Sequence, residues 1–211
     1  MEPIHLRRGF TIIELLIVLA IIATITAVAL SSQSSFNKTL ILANTAYDIA
    51  LTIRSAESFG LGSRAIGSVA SPGYGIHFQK GVTDSFIFFA DTSPAINSSC
   101  TRPDRKPGDQ LYSSADARVQ TYKLGNGMSI SDFCVSGAGS VSCASSNGAG
   151  LSSLDIVFAR PNPDAFIRAD GSSFTSYTSA CLKISSKNGE ASRFISVAAS
   201  GEIIAEAPSC P

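Results

Sequence analysis

The stretch RRGFTIIELLIVLAIIATITAVAL, residues 7–30, decides how the rest of the chain is read. From Phe10 to Leu30 its only charged residue is Glu14, placed near the start of the run. A helix over this run rises about 31 Å, roughly one hydrocarbon core. Arg7 and Arg8 stand at its N-terminal border, and the next basic residue is Lys38. Basic flanks stay cytoplasmic, so the pattern predicts a single span with the N-terminus inside and the remainder outside. A secretory signal peptide has a shorter apolar core and a small-residue cleavage site. Here the core is longer, and Glu14 sits where such a core should be cleanest. A carboxylate in lipid needs a partner. The fitting positive group is the α-amino group that a cut between Gly9 and Phe10 would create.

Beyond Leu30 the chain is polar and rich in Ser, Ala and Gly. Of 16 basic and 16 acidic residues in 211, only Arg7, Arg8, Glu2 and Glu14 precede Ser31, so the remainder is neutral. That argues against a strongly basic nucleic-acid surface. Residues 31–61 read as a continuation of the helix. Phe36, Leu40, Ala43, Tyr47 and Ala50 form one apolar stripe. Leu42, Ala46, Ile49, Ile53 and Ala56 form a second beside it, while Asp48, Arg54 and Glu57 would look outward. Gly60 and Gly62 after Phe59 mark the end. The helix would run for about 50 residues and about 75 Å.

Residues 62–211 change character, with short strand-like pieces between Gly, Ser, Asn and Pro. The candidates are 74–79, 85–90, 119–124, 129–135, 154–159, 180–185, 193–198 and 202–205. KNGE, residues 187–190, reads as a hairpin turn, and Ala199-Ser200-Gly201 as a second tight connection. Residues 92–116 and 137–153 read as exposed loops. The expected fold is α+β: a long N-terminal helix, half spanning and half scaffold, laid against a mainly antiparallel β-sheet head.

RRG-FTIIELLIVLAIIA resembles the leader and N-terminal helix of type IV pilins and of type II secretion pseudopilins. Gly9, Phe10, Thr11 and Glu14 match that pattern residue by residue. The resemblance implies a leader of residues 1–9, with Arg7 and Arg8 as its basic part. It implies cleavage after Gly9 by a prepilin peptidase and N-methylation of Phe10. Residues 10–30 would be the transmembrane and filament-core helix, and 31–61 the amphipathic scaffold helix. Glu14 would neutralise the Phe10 amine of a neighbouring subunit. Partners would be other pilin subunits, the peptidase, an inner-membrane assembly platform and, before assembly, membrane lipid. The chain would be a single-pass membrane protein with an extracytoplasmic head, then part of a surface or periplasm-spanning filament. Many relatives carry a helix-breaking Pro and a Gly in this helix, where Ser31 and Ala23 stand here. The pattern SVAASGEI near the end leans toward the minor pseudopilin type.

Five cysteines, Cys100, Cys134, Cys143, Cys181 and Cys210, all follow the apolar run. Disulfides are permitted outside the cytoplasm. Cys181 with Cys210 would tether the last two strands and the tail, and in pilins a C-terminal bridge of this sort bounds a surface-exposed region. Cys134 with Cys143 would close a short Ser/Gly loop. The alternative pairs Cys100 with Cys134 or Cys143. No spacing resembles a metal knuckle, so neither metal nor cofactor is expected.

No catalytic constellation stands out, and the chain reads as a non-enzyme. His77, in YGIHF, would sit on the solvent side of its strand in a structural role. GLGSR, residues 60–64, ends a helix rather than opening one and is no phosphate loop. Asp164 and Asp170 flank FIRA and read as a turn rather than a calcium site. Arg102, Arg105 and Lys106 share a loop with Asp104 and Asp109, which cancel much of their field, so a nucleic-acid partner is not expected. Three readings follow. The first is a structural filament subunit. The second is a minor, tip-located subunit that binds DNA, a surface or a secreted substrate. The third, a single-pass membrane enzyme, lacks the residues for chemistry.

Overall fold

The structure is a computed structural model describing residues 9–62, 64–93, 108–146, 150–161, 163–172 and 177–210. Arg7, Arg8, Cys100, Arg102, Asp104, Arg105 and Lys106 lie outside the described residues, as does the side chain of Phe36. The chain divides into two compact units, Met1–Leu40 and Ile41–Pro211.

The first element, α1, runs Ile12–Leu61 over 50 residues. Neither Pro nor Gly interrupts it before Gly60, so nothing removes a ladder hydrogen bond or loosens the backbone. Thr11 starts it. Its hydroxyl oxygen accepts the Glu14 N–H at 3.3 Å, and its carbonyl accepts the Leu15 N–H at 3.2 Å. This is N-capping by a threonine, with an acid in the first turn facing the positive end of the helix dipole.

In the first unit, Ile12–Leu30 is long and apolar enough to cross a membrane. Its large side chains are exposed, from 47% at Val18 to 81% at Ile12. The two threonines in this stretch do not spoil it. Thr24 donates to the Ile21 carbonyl at 2.8 Å and Thr26 to the Ile22 carbonyl at 2.7 Å, so neither hydroxyl needs water.

Among the described residues, the second unit packs the rest of α1 against ten strands. They are β1 Gly73–Gln79, β2 Ser85–Asp91, β3 Ala117–Lys123, β4 Ser129–Gly137, β5 Ser140–Cys143, β6 Ser153–Phe158, β7 Ala165–Ala169, β8 Ser179–Ser185, β9 Ser192–Ala198 and β10 Ile203–Ala207. Every pairing between them is antiparallel. They form two five-stranded sheets, ordered β3-β2-β1-β6-β7 and β10-β9-β8-β4-β5. One apolar cluster joins α1 to both. It holds Leu42, Ala46, Ile49, Ile53 and Ala56 from the helix, Ile76 and Ile156 from the first sheet, and Leu182 and Ile195 from the second.

Of the two helical stripes, the one beginning at Leu42 is wholly buried. The other is not: Leu40 and Tyr47 are about half exposed and only Ala50 is buried. The sheets cover one side of α1, so a two-stripe face is wider than the contact. The segment 137–153, expected as a loop, contains β5. Cys143 there lies in register opposite Cys134, and four consecutive pairs zip Ser140–Cys143 onto β4. Composition hid this strand because its residues are small and mostly polar. β7 was also unexpected, inside what reads as a turn between Asp164 and Asp170. The turn itself follows the strand, with Asp170 and Gly171 at φ +56° and +68°.

Candidate functional site

Two places carry the residues to which the sequence draws attention. At the N-terminus, Gly9 and Phe10 precede the helix and lie in the open. A Cβ on Gly9 would meet nothing within 4 Å, and Phe10 is 85% exposed. Glu14 is exposed as well, one turn into α1. The arrangement is a Gly-Phe pair outside the helix, a threonine cap, a single carboxylate and then apolar helix.

The head holds the second. His77 and Asp155, directly opposite on β1 and β6, are joined by a 2.7 Å hydrogen bond from Nδ1 to Oδ1. Here the expectation fails: His77 is 8% exposed and Asp155 only 1%, so the histidine does not face solvent. Alternation does put it on the face away from α1, since Ile76 and Phe78 line the core. That face is covered by the segment 108–116, whose Tyr112 ring stands 4.6 Å from the imidazole and 5.1 Å from the Phe89 ring. Gly75 leaves room in this layer, for a Cβ there would lie 2.7 Å from Val157 Cγ2.

Carboxylates fasten that segment down. Asp91 accepts the Asp109 and Gln110 N–H groups at 3.1 and 2.7 Å. Asp116 accepts from the Thr92, Ser93 and Ser113 N–H groups and from the Ser113 hydroxyl. Gln110 in turn accepts from Arg168 on β7. Burial pushes the Asp91 carboxyl up to about 8, helped by the charges of Asp116 and Asp109 and opposed by its two backbone donors. Burial also raises Asp155, against the pull of His77. Sequence reading missed these acids. For Asp91 and Asp155 the signal was an aspartate at the end of one apolar strand, SFIFFAD, and within another, SLDIVF.

Chemically this layer is structural. Among the described residues no Ser, Thr or Cys side chain hydrogen-bonds to His77, and its partners are the Asp155 carboxyl and the Tyr112 ring. Asp132, Cys134 and Cys143 lie close enough to resemble a metal set, but both cysteines are in a disulfide. Asp132 instead accepts the Ser145 N–H and hydroxyl. Asp170 accepts the Ser152 N–H and hydroxyl, which accounts for an acid at that turn. The bridges are Cys134–Cys143 and Cys181–Cys210.

Residues 4–30 match the family model described as the prokaryotic N-terminal methylation motif. That segment holds Gly9, Phe10, Thr11 and Glu14 and ends where the exposed apolar helix ends. The chain therefore carries a motif typical of prepilins and pseudopilins, ahead of a pilin-like α+β head. No curated protein and no solved structure matches the chain.

Proposed function

We propose that this chain is a structural subunit of a type IV pilus or pseudopilus filament, held in the membrane through residues 10–30 until it is assembled. The observation that carries the reading is the methylation motif on a membrane-length helix with exposed apolar side chains. Such a surface needs lipid or other helices around it. In this reading a prepilin peptidase cuts after Gly9, with Arg7 and Arg8 holding the leader on the cytoplasmic side. Phe10 becomes the methylated N-terminus. The head, with its two disulfides, sits outside the cytoplasm, where such bonds persist. The membrane platform and neighbouring subunits are the partners, and Glu14 meets the Phe10 amine of a neighbour. A buried charge pair of this kind fixes register more surely than it adds stability.

The deciding experiment is the intact mass and N-terminal residue of the protein from its native membrane and from sheared surface material. A chain starting at N-methyl-Phe10 and present in the sheared fraction supports the filament subunit. A chain still starting at Met1 in cells with an active peptidase overturns it.

A further inference from the structure

Three cysteines stand side by side across the second sheet. Cys134 on β4 is the register partner of both Cys143 on β5 and Cys181 on β8, and Ser196 on β9 continues the row. Residues directly opposite in antiparallel strands share a face, with Cα atoms about 4.5–5.5 Å apart. The neighbouring core residues Phe133, Val135, Ala180 and Leu182 alternate onto the face that packs in the apolar cluster. The cysteine row therefore lies on the other face, where Cys210 from the C-terminal tail reaches Cys181. Cys134 and Cys181 are buried, whereas Cys143 and Cys210 are half-buried. Two buried cysteines thus stand opposite each other in register, and each is bonded to a half-buried one.

We propose that this row is a thiol–disulfide exchange relay, in which opening the Cys134–Cys143 bridge releases the C-terminal tail. A dithiol reductant begins it at the half-buried end. One of its thiolates attacks Cys143 Sγ, and Cys134 leaves as a thiolate. The reductant's second thiol resolves the mixed disulfide, freeing the Cys143 thiol and leaving the reductant oxidised by two electrons. The Cys134 thiolate then attacks Cys181 Sγ. The Cys134–Cys181 bond forms, the Cys181–Cys210 bond breaks, and Cys210 leaves as a thiolate that takes up a proton. This second step moves no net electrons. Direct opposition on adjacent strands puts the Cα separation within the range that a disulfide spans. Cys143 cannot take the same role, because it stands two strands from Cys181, about 10 Å at the usual strand spacing. The outcome is a head that keeps one bridge across β4 and β8, while the segment after β10 loses its covalent tether. The relay rests on strand register and holds whether or not the chain enters a filament.

The test uses the full chain in detergent with Cys100→Ser, so that the fifth cysteine takes no part. In Cys143→Ser, Cys134 has lost its partner. Alkylation followed by peptide mass mapping should find Cys134 joined to Cys181 and Cys210 alkylated. In Cys134→Ser, the Cys181–Cys210 bridge should survive with Cys143 alkylated. Titration of the Cys143- and Cys134-containing protein with dithiothreitol gives a second readout that needs neither variant to fold. Cys143 and Cys210 should become alkylated together, at the lowest concentrations, while Cys134 and Cys181 stay protected. The proposal falls if Cys143→Ser keeps Cys181–Cys210 and shows a free Cys134. It falls equally if reduction exposes Cys134 with Cys143 and releases Cys210 only together with Cys181.

Discussion

A methyl group at residue 60 would stand 2.8 Å from the Phe158 carbonyl carbon and overlap its oxygen. Gly60 is therefore the point at which α1 touches the backbone of β6, and its glycine is set by contact rather than by helix ending alone. Gly60→Ala improves helix propensity but overpacks this contact, and should destabilise the head by roughly 1–3 kcal/mol. Thermal unfolding of the purified chain in detergent would show it. An unchanged melting temperature would mean that the helix end slides freely on the sheet. His77 makes a comparable case. Replacing it by Leu leaves the Asp155 carboxyl at 1% exposure without its imidazole partner and with the Tyr112 N–H still facing it, and should cost roughly 1–3 kcal/mol. Asp155→Asn on that background removes the ionisable group, and the double variant should melt higher than His77→Leu alone. The sequence placed His77 on the correct face of β1 but could not show that the face is covered. Its cover comes from residues 31 or more positions later, and periodicity is silent about such contacts.

At the scale of elements, what was legible follows the strength of the local pattern. A helix free of Gly and Pro for most of its length, and strands such as SFIFFAD and SACLKIS, carry their own signal. β5, written SVSC, carries none and exists because the adjoining β4 offers it a ladder and a disulfide. The division into two sheets was equally hidden, since it depends on which strands neighbour in space. The strap 108–116 is the element with a pH dependence of its own. Asp91 is raised from 3.8 to about 8 in the folded chain. Between those values the native state holds a proton that the unfolded chain gives up. The contribution of this group is therefore fully present below about pH 4 and is lost as pH rises toward 8. Asp91→Asn is neutral throughout. The stability of wild type relative to this variant should fall steadily from pH 5 to about pH 8 and change little above that. Other titrating groups are common to both proteins and cancel in the difference. Parallel melting curves across that range would show that Asp91 keeps an ordinary carboxylate range under its strap.

At the scale of the molecule, the filament reading poses one question: what would cover residues 10–30 once they left lipid. Glu14 is the residue through which that question can be put. Within the single chain it already has a local use, because its charge suits the first turn of α1. That use is worth about 0.3–1 kcal/mol, which does not outweigh the cost of a carboxylate in a membrane. A second use must favour it, and pairing with a neighbour's Phe10 amine is the one the filament reading supplies. Glu14→Leu separates the two. Loss of the local use alone would leave the chain cleaved, inserted and assembled, since Leu raises the hydropathy of the span and keeps the helix. Loss of the intersubunit pairing would leave cleavage and insertion intact, while recovery in the sheared fraction falls at least tenfold. The measurement is the ratio of sheared to membrane-bound chain, with the N-terminal residue determined in both. Full recovery of Glu14→Leu in filaments would assign the carboxylate to the helix start and remove it from assembly. A chain that stays uncut would instead place Glu14 in recognition by the peptidase.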